Sequence, residues 1–144
     1  MRFWDTSALV PLFVSETASN TVSLLYKSDP EITVAWTASI ECTSACVRRH
    51  RERRLTDTHL AQLLGRLQLL SRSWNIAEPT SAVRIGAERL VARHGLRADD
   101  AIQLASAMAI AEFTTPVSEI VCLDRRLTLA ATAEGLRVVP EPPA

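Results

Sequence analysis

Short apolar runs alternate with longer amphipathic ones along this chain, and Gly, Pro, Ser and Thr punctuate the changes. The short runs are residues 1–5 (MRFWD), 32–35 (ITVA), 74–77 (WNIA), 119–123 (EIVCL) and 136–139 (LRVV). They favour Val, Ile and Trp and are too brief for helices, so they read as strands. Leu60, Leu63, Leu64, Leu67 and Leu70 recur at helical spacing and predict an amphipathic helix that Thr56 can cap. Ala8, Leu9 and Leu12 read as a first helix, with Pro11 tolerated only near its start. Further helices are expected over 19–26, from Thr37 or Ser39 to about residue 54, and from Thr80 or Ser81 to about residue 94. Two more are expected over 98–113 and 125–134, with Gly95 and Gly135 as stops and PEPP ending the last strand.

Strands alternating with helices predict an α/β fold with a mostly parallel sheet covered on both faces. At 144 residues and 47% hydrophobic content, one domain over 1–144 can bury one core. In open sheets of this kind, sites form beyond the carboxyl ends of the strands. Asp5 ends the first strand and Asp124 follows EIVCL, so both acids stand where a site would form.

Charge changes the picture little in total and more in distribution. Acids and bases balance at 16 each, so there is no global basic field and no acidic tail. Lys27 is the one lysine, and five arginines fall in VRRHRERR. The three cysteines form no disulfide framework. Cys42 and Cys46 share a helix face but lack a second Cys or His pair at zinc spacing, so small core residues are expected. No signal peptide and no apolar run of about 20 residues is read, which points to a reduced, cytoplasmic protein without a membrane span.

Two more acids have neighbours unsuited to a solvated face. Glu41 lies in WTASIECTSAC, and Asp100 opens the most apolar helix, in LRADDAIQLASAM. Asp99 already serves the dipole of that helix, which leaves Asp100 for another role. If Asp5, Glu41, Asp100 and Asp124 meet, each pair at 4 Å repels by about 4 kcal/mol at an effective dielectric near 20. With no lysine to neutralise them, either their pKa values rise or a divalent cation sits among them. Oxygen-only ligands favour Mg²⁺, or Mn²⁺ in its place, and such an ion can clamp a phosphodiester. Thr6 and Ser7 either orient a ligand or water there or cap the following helix.

These stretches resemble the PIN-domain ribonucleases, in particular the VapC-type toxins of bacterial toxin–antitoxin pairs, over essentially the whole chain. FWDTSALV resembles the family's opening strand ending in Asp-Thr-Ser-Ala-Leu, which points to Asp5. TASIECTSA resembles the helix of the second acid and points to Glu41. LRADDAIQLASA resembles the Asp-Ala-hydrophobic helix and points to Asp100, and VCLDRRLTLAATAEGLRVV resembles the closing unit and points to Asp124. The resemblance implies a PIN-like, Rossmann-like three-layer α/β/α fold with an additional helical hairpin. It implies a Mg²⁺-dependent endoribonuclease, a homodimer, and a cognate antitoxin whose tail covers the site. Cys122 departs from the family's frequent Thr, and Pro11 departs from a helix-friendly residue and moves the expected start of the first helix later.

The arginine run has two readings. Arg48 and Arg51 could contact RNA phosphates beside the site, or the run is a solvated helix end favoured by the dipole. The leucine stripe is buried either in the chain's own core or under a partner's helix, such as an antitoxin's. His50, His59 and His94 form no nucleophile–base set, and no Gly-rich phosphate loop is present. A phospho-acceptor receiver domain needs a late lysine, and a haloacid-type phosphatase needs an acid where Ser7 stands. The remaining alternative is a catalytically silent binding module on the same fold.

Overall fold

The computed structural model describes residues 1–113 and 119–141. In chain order the elements are β1 (Arg2–Trp4), α1 (Thr6–Phe13), α2 (Ser19–Ser28), β2 (Ile32–Ala35), α3 (Ala38–Arg51) and α4 (Asp57–Ser71). They continue with β3 (Asn75–Ala77), α5 (Ser81–His94), α6 (Ala98–Phe113), β4 (Glu119–Val121), α7 (Arg125–Ala133) and β5 (Arg137–Val139). The strands form one parallel sheet in the order β3-β2-β1-β4-β5. The parallel sheet expected from the alternating runs is therefore present. Pro142 and Pro143 of the expected PEPP stop lie outside the described residues.

Alternation along the strands builds the three layers. Phe3, Ala35, Ile120 and Val138 face one core, which α5, α6 and α7 cover. Their neighbours Trp4, Val34, Val121 and Val139 face the other, beneath α1 to α4. Side chains of successive strand residues point to opposite faces, and both faces are buried in the central strands, which is why those read as apolar runs, while Asn75 and Ile76 on edge strand β3 are exposed. The α3–α4 pair supplies the expected helical hairpin. Leu63 and Leu67 are buried in the second core, and Leu60, Leu64 and Leu70 pack against it, so the leucine stripe is covered by this chain itself. No helix of the described residues is long and apolar enough to cross a membrane.

The first helix departs from expectation. It begins at Thr6, directly after Asp5, and holds Pro11 as its sixth residue. The backbone carbonyl of Asp5 accepts from the N–H groups of Ala8 and Leu9, and its side chain accepts from that of Ser7. These bonds satisfy amides that a starting helix leaves orphaned, and so set an early start. Pro11 forfeits a single helical bond, to the Ser7 carbonyl, and the residue is buried.

Cys42, Cys46 and Cys122 are all free and buried. Burial raises the pKa of all three thiols, and that of Cys122 to about 12. A thiol reagent is expected to titrate none of them in the native protein at neutral pH and all three in guanidinium chloride. Stoichiometric reaction of any one in the native state would contradict this packing.

Candidate active site

The strand order reverses between β1 and β4, which are neighbours at the centre of the sheet. Chains that wind outward in both directions leave a crevice at this switch point, beyond the carboxyl ends of the two strands. Asp5 follows β1 and Asp124 opens α7 just past β4, so the sheet delivers both to that crevice. The Ser7 hydroxyl ties the two turns together. It donates to Asp5 Oδ2 at 2.5 Å and accepts from the backbone N–H groups of Leu123 at 2.9 Å and Asp124 at 3.2 Å.

Both acids also cap helices. Asp5 Oδ2 accepts from the Ser7 N–H at 3.0 Å at the start of α1, and Asp124 Oδ1 accepts from the Leu127 N–H at 2.8 Å at the start of α7. Each carboxylate thereby spends one oxygen on the fold. Asp5 is almost wholly buried. Burial pushes its pKa up, the Glu41 charge pushes it further, and the Ser7 hydrogen bonds oppose both.

Glu41 enters from α3 and is held by three donors. Thr6 Oγ1 reaches its Oε2 at 3.0 Å, and Thr37 Oγ1 and Gln103 Nε2 reach its Oε1 at 2.6 and 3.0 Å. Thr37 stands at the N-cap position of α3 but makes no capping bond, because its hydroxyl serves Glu41. Gln103 is fully buried and also donates to Thr6 Oγ1 at 3.2 Å. Sequence reasoning missed Gln103. Its signal was present, since a Gln three residues after Asp100 shares that acid's helix face inside an otherwise apolar stretch.

Asp100 comes from the first turn of α6. Its carboxylate has no hydrogen-bond or ion-pair partner among the described residues. Its pKa is raised to about 6, by desolvation first and then by Asp99, Asp124 and Asp5. Asp99 is more exposed, with Arg97 Nε 3.9 Å from its Oδ1, and it borders the same crevice.

Asp5, Glu41, Asp100 and Asp124 all line one cleft of about 400 Å³, together with Thr6, Ser7 and Arg48. Arg51 does not. From Glu41 to Arg48 is seven residues, two helical turns, so both point the same way; Arg51 lies about 4.5 Å further along the axis and is turned aside. It lines a neighbouring depression instead. Arg49 also reaches the cleft, paired with Glu16 at its mouth. A second groove, nearly apolar and lined by Trp36, Val83, Ala87, Val91 and Ile102, holds none of the four acids.

The donor chemistry fits a hard divalent cation: carboxylate oxygens, one of them on a half-buried acid whose side chain has no partner among the described residues, with Arg48, Arg49 and Arg97 offsetting part of the charge. Among the described residues, however, no three carboxylate, imidazole or thiol groups are gathered tightly enough to enclose an ion as they stand. The four acids share a cleft without closing around a point.

The family model described as PIN domain matches residues 2–114. Two curated proteins of Mycobacterium tuberculosis, Ribonuclease VapC45 of strain CDC 1551 / Oshkosh and Ribonuclease VapC49 of strain ATCC 25618 / H37Rv, are each 32% identical over 138 residues. Each alignment covers 96% of this chain and 94% of the relative. A solved structure titled as a toxin–antitoxin complex from Klebsiella pneumoniae superposes with a TM-score of 0.65 at 16% identity, over 89% of this chain and 90% of that one. That likeness is one of fold, and the sequence matches carry the kinship. The chain belongs to the PIN-domain family, with proteins of the VapC type among its relatives.

Proposed function

We propose that this chain is a metal-dependent endoribonuclease that hydrolyses RNA phosphodiester bonds and acts as the toxin of a type II toxin–antitoxin pair. The observation that carries the reading is the single cleft that gathers Asp5, Glu41, Asp100 and Asp124, with Arg48, Arg49 and Arg97 on its walls. Relatives named as ribonucleases across nearly the full length support it. Mg²⁺ is the proposed cofactor, with Mn²⁺ able to substitute. Asp5, Asp100 and Asp124 would hold it, with Glu41 beside them.

When bound, such an ion lowers the pKa of a coordinated water and offsets charge on the scissile phosphate. The chain's own groups do the rest. Ser7 fixes Asp5 and the Asp124 turn. Thr6, Thr37 and Gln103 fix Glu41. Arg48, on the cleft wall and without an ion-pair partner among the described residues, is placed to meet a phosphate oxygen. Thr6 and Ser7 spend their hydroxyl protons on Glu41 and Asp5, so they act by positioning acids rather than by donating to substrate. The proposed assembly is a cytoplasmic homodimer held in check by its cognate antitoxin.

The competing reading is a catalytically silent module, which the lack of a ready three-carboxylate cage among the described residues would favour. Cleavage of a mixed RNA substrate separates the two. Cutting with Mg²⁺ or Mn²⁺ that chelator stops is the expected result. No cutting under any divalent ion, with no Mn²⁺ binding by calorimetry, would leave the silent module standing.

A further inference from the structure

The five arginines of VRRHRERR behave differently in the folded chain. Arg49 is tied to Glu16 and to the Ala45 carbonyl, and Arg54 is tied to Glu52. Arg48, Arg51 and Arg53 have no ion-pair or hydrogen-bond partner for their side chains among the described residues. Arg48 lines the cleft; Arg51 and Arg53 line an open depression of about 770 Å³ at the C-terminal end of the same helix, with His50, Arg54 and His59. The one acid along that depression, Asp57, is engaged by His50 Nε2 at 2.6 Å.

Arg53 carries a second, independent signal. It is the one non-glycine residue among those described with positive φ, at 58°. It ends α3, where the Arg53 N–H bonds the His50 carbonyl and the Arg54 N–H bonds the Arg49 carbonyl. A left-handed stop of this kind crowds any β-carbon, and glycine fills it with least strain. The same chain uses glycine for the equivalent stop after α5, where Gly95 has φ 64°. An arginine held in a strained backbone, with its head group unpaired over a basic hollow, points to a use for the head group.

We propose that the α3–α4 turn is an extended phosphate subsite for the RNA strand leaving the carboxylate cleft. Arg48, Arg51 and Arg53 meet successive backbone phosphates along it. This rests on the ribonuclease reading and adds where the rest of the strand lies. Arg51 is ten residues from Glu41, about 15 Å along the helix, so the subsite serves nucleotides a few positions from the cut. No Phe, Tyr or Trp lines the depression, and its unpaired arginines suit phosphate, so the proposed contact is to the backbone.

The test is Arg53→Gly, with Arg53→Asn as a second neutral variant that tolerates the same backbone. Binding of single-stranded RNA of about 4 and about 12 nucleotides is followed by fluorescence anisotropy in chelator across a salt series. Both variants should stay folded, with melting temperature at or above wild type. The longer RNA should bind about fivefold more weakly, with a salt slope shallower by about 0.7, and the shorter should be unaffected. Unchanged affinity and slope in both variants, with wild type cutting RNA, would overturn the subsite and leave the nuclease reading intact. Wild type that neither binds nor cuts RNA would remove both. Binding of poly-glutamate lost in the variants, with RNA binding unchanged, would assign the patch to an acidic protein partner instead.

Discussion

Asp100→Asn is expected to lower RNA cleavage by about a thousandfold or more and to abolish Mn²⁺ binding in calorimetry. At the same time the metal-free protein should become more stable at neutral pH. The second expectation follows from the sign of the shift. Burial and the charges of Asp99, Asp124 and Asp5 raise the Asp100 carboxyl to about 6 from 3.8. The folded state therefore binds this proton more tightly than the unfolded state. Metal-free wild type gains stability as pH falls from about 6 toward 3.8 and gives it up above that window. The whole shift would be worth about 3 kcal/mol, and solvent screening of a half-buried group reduces it to about 1. Asn removes the repulsion, so the variant should melt about 3 °C higher at neutral pH in chelator, with the gap closing in acid. Activity and Mn²⁺ binding near wild-type levels in the folded variant would show that Asp100 is not part of the working site.

The second large effect belongs to Ser7→Ala. One hydroxyl accepts two backbone N–H groups from the β4–α7 turn and donates to Asp5. Removing it leaves both amides without their acceptor, at about 2–3 kcal/mol, or roughly 6–10 °C in melting temperature. It also frees Asp5 and Asp124 to move apart, leaving the weaker Cys122 Sγ contact to Asp5 Oδ2, at 3.8 Å, across the two turns. The expected kinetic signature is a fall in kcat of about tenfold or more with KM for RNA little changed. A rise in KM at wild-type melting temperature would instead make Ser7 a substrate contact.

Much of the fold was legible because both faces of the sheet are buried. Each strand is an apolar run bounded by turn residues, and β2, at Ile32–Ala35, has the bounds the pattern suggests. The helix caps at Thr56 and Thr80 were legible for the same local reason, a hydroxyl aimed at an amide three residues on. What stayed hidden was relational. Pro11 argued for a late first helix, but the Asp5 cap outweighs one lost hydrogen bond. Asp5, Glu41, Asp100 and Asp124 were each visible as acids in odd company, whereas the Ser7 bridge joins residues more than a hundred positions apart and leaves no linear trace. Arg48 and Arg51 look alike as letters, and only their place on α3 separates the cleft wall from the depression beyond it. Gln103 shows as a polar letter in an apolar helix, but its hydrogen bond to Glu41 joins helices from opposite faces of the sheet, which no linear pattern displays.

The double duty of Asp5 and Asp124 bears on how such a chain would decay. Each carboxylate holds the first turn of a helix as well as facing the cleft, while Asp100 and Glu41 start no helix with their side chains. If selection for activity were lifted, the four acids would not be lost alike. Asp100 could drift freely, and gain stability in doing so. Positions 5 and 124 would stay confined to Asp, Asn, Ser or Thr, because any descendant that still folds must cap α1 and α7. A relative with good caps at these two positions and nothing acidic at the other two would be a fossil of the enzyme, its scaffold intact and its chemistry gone.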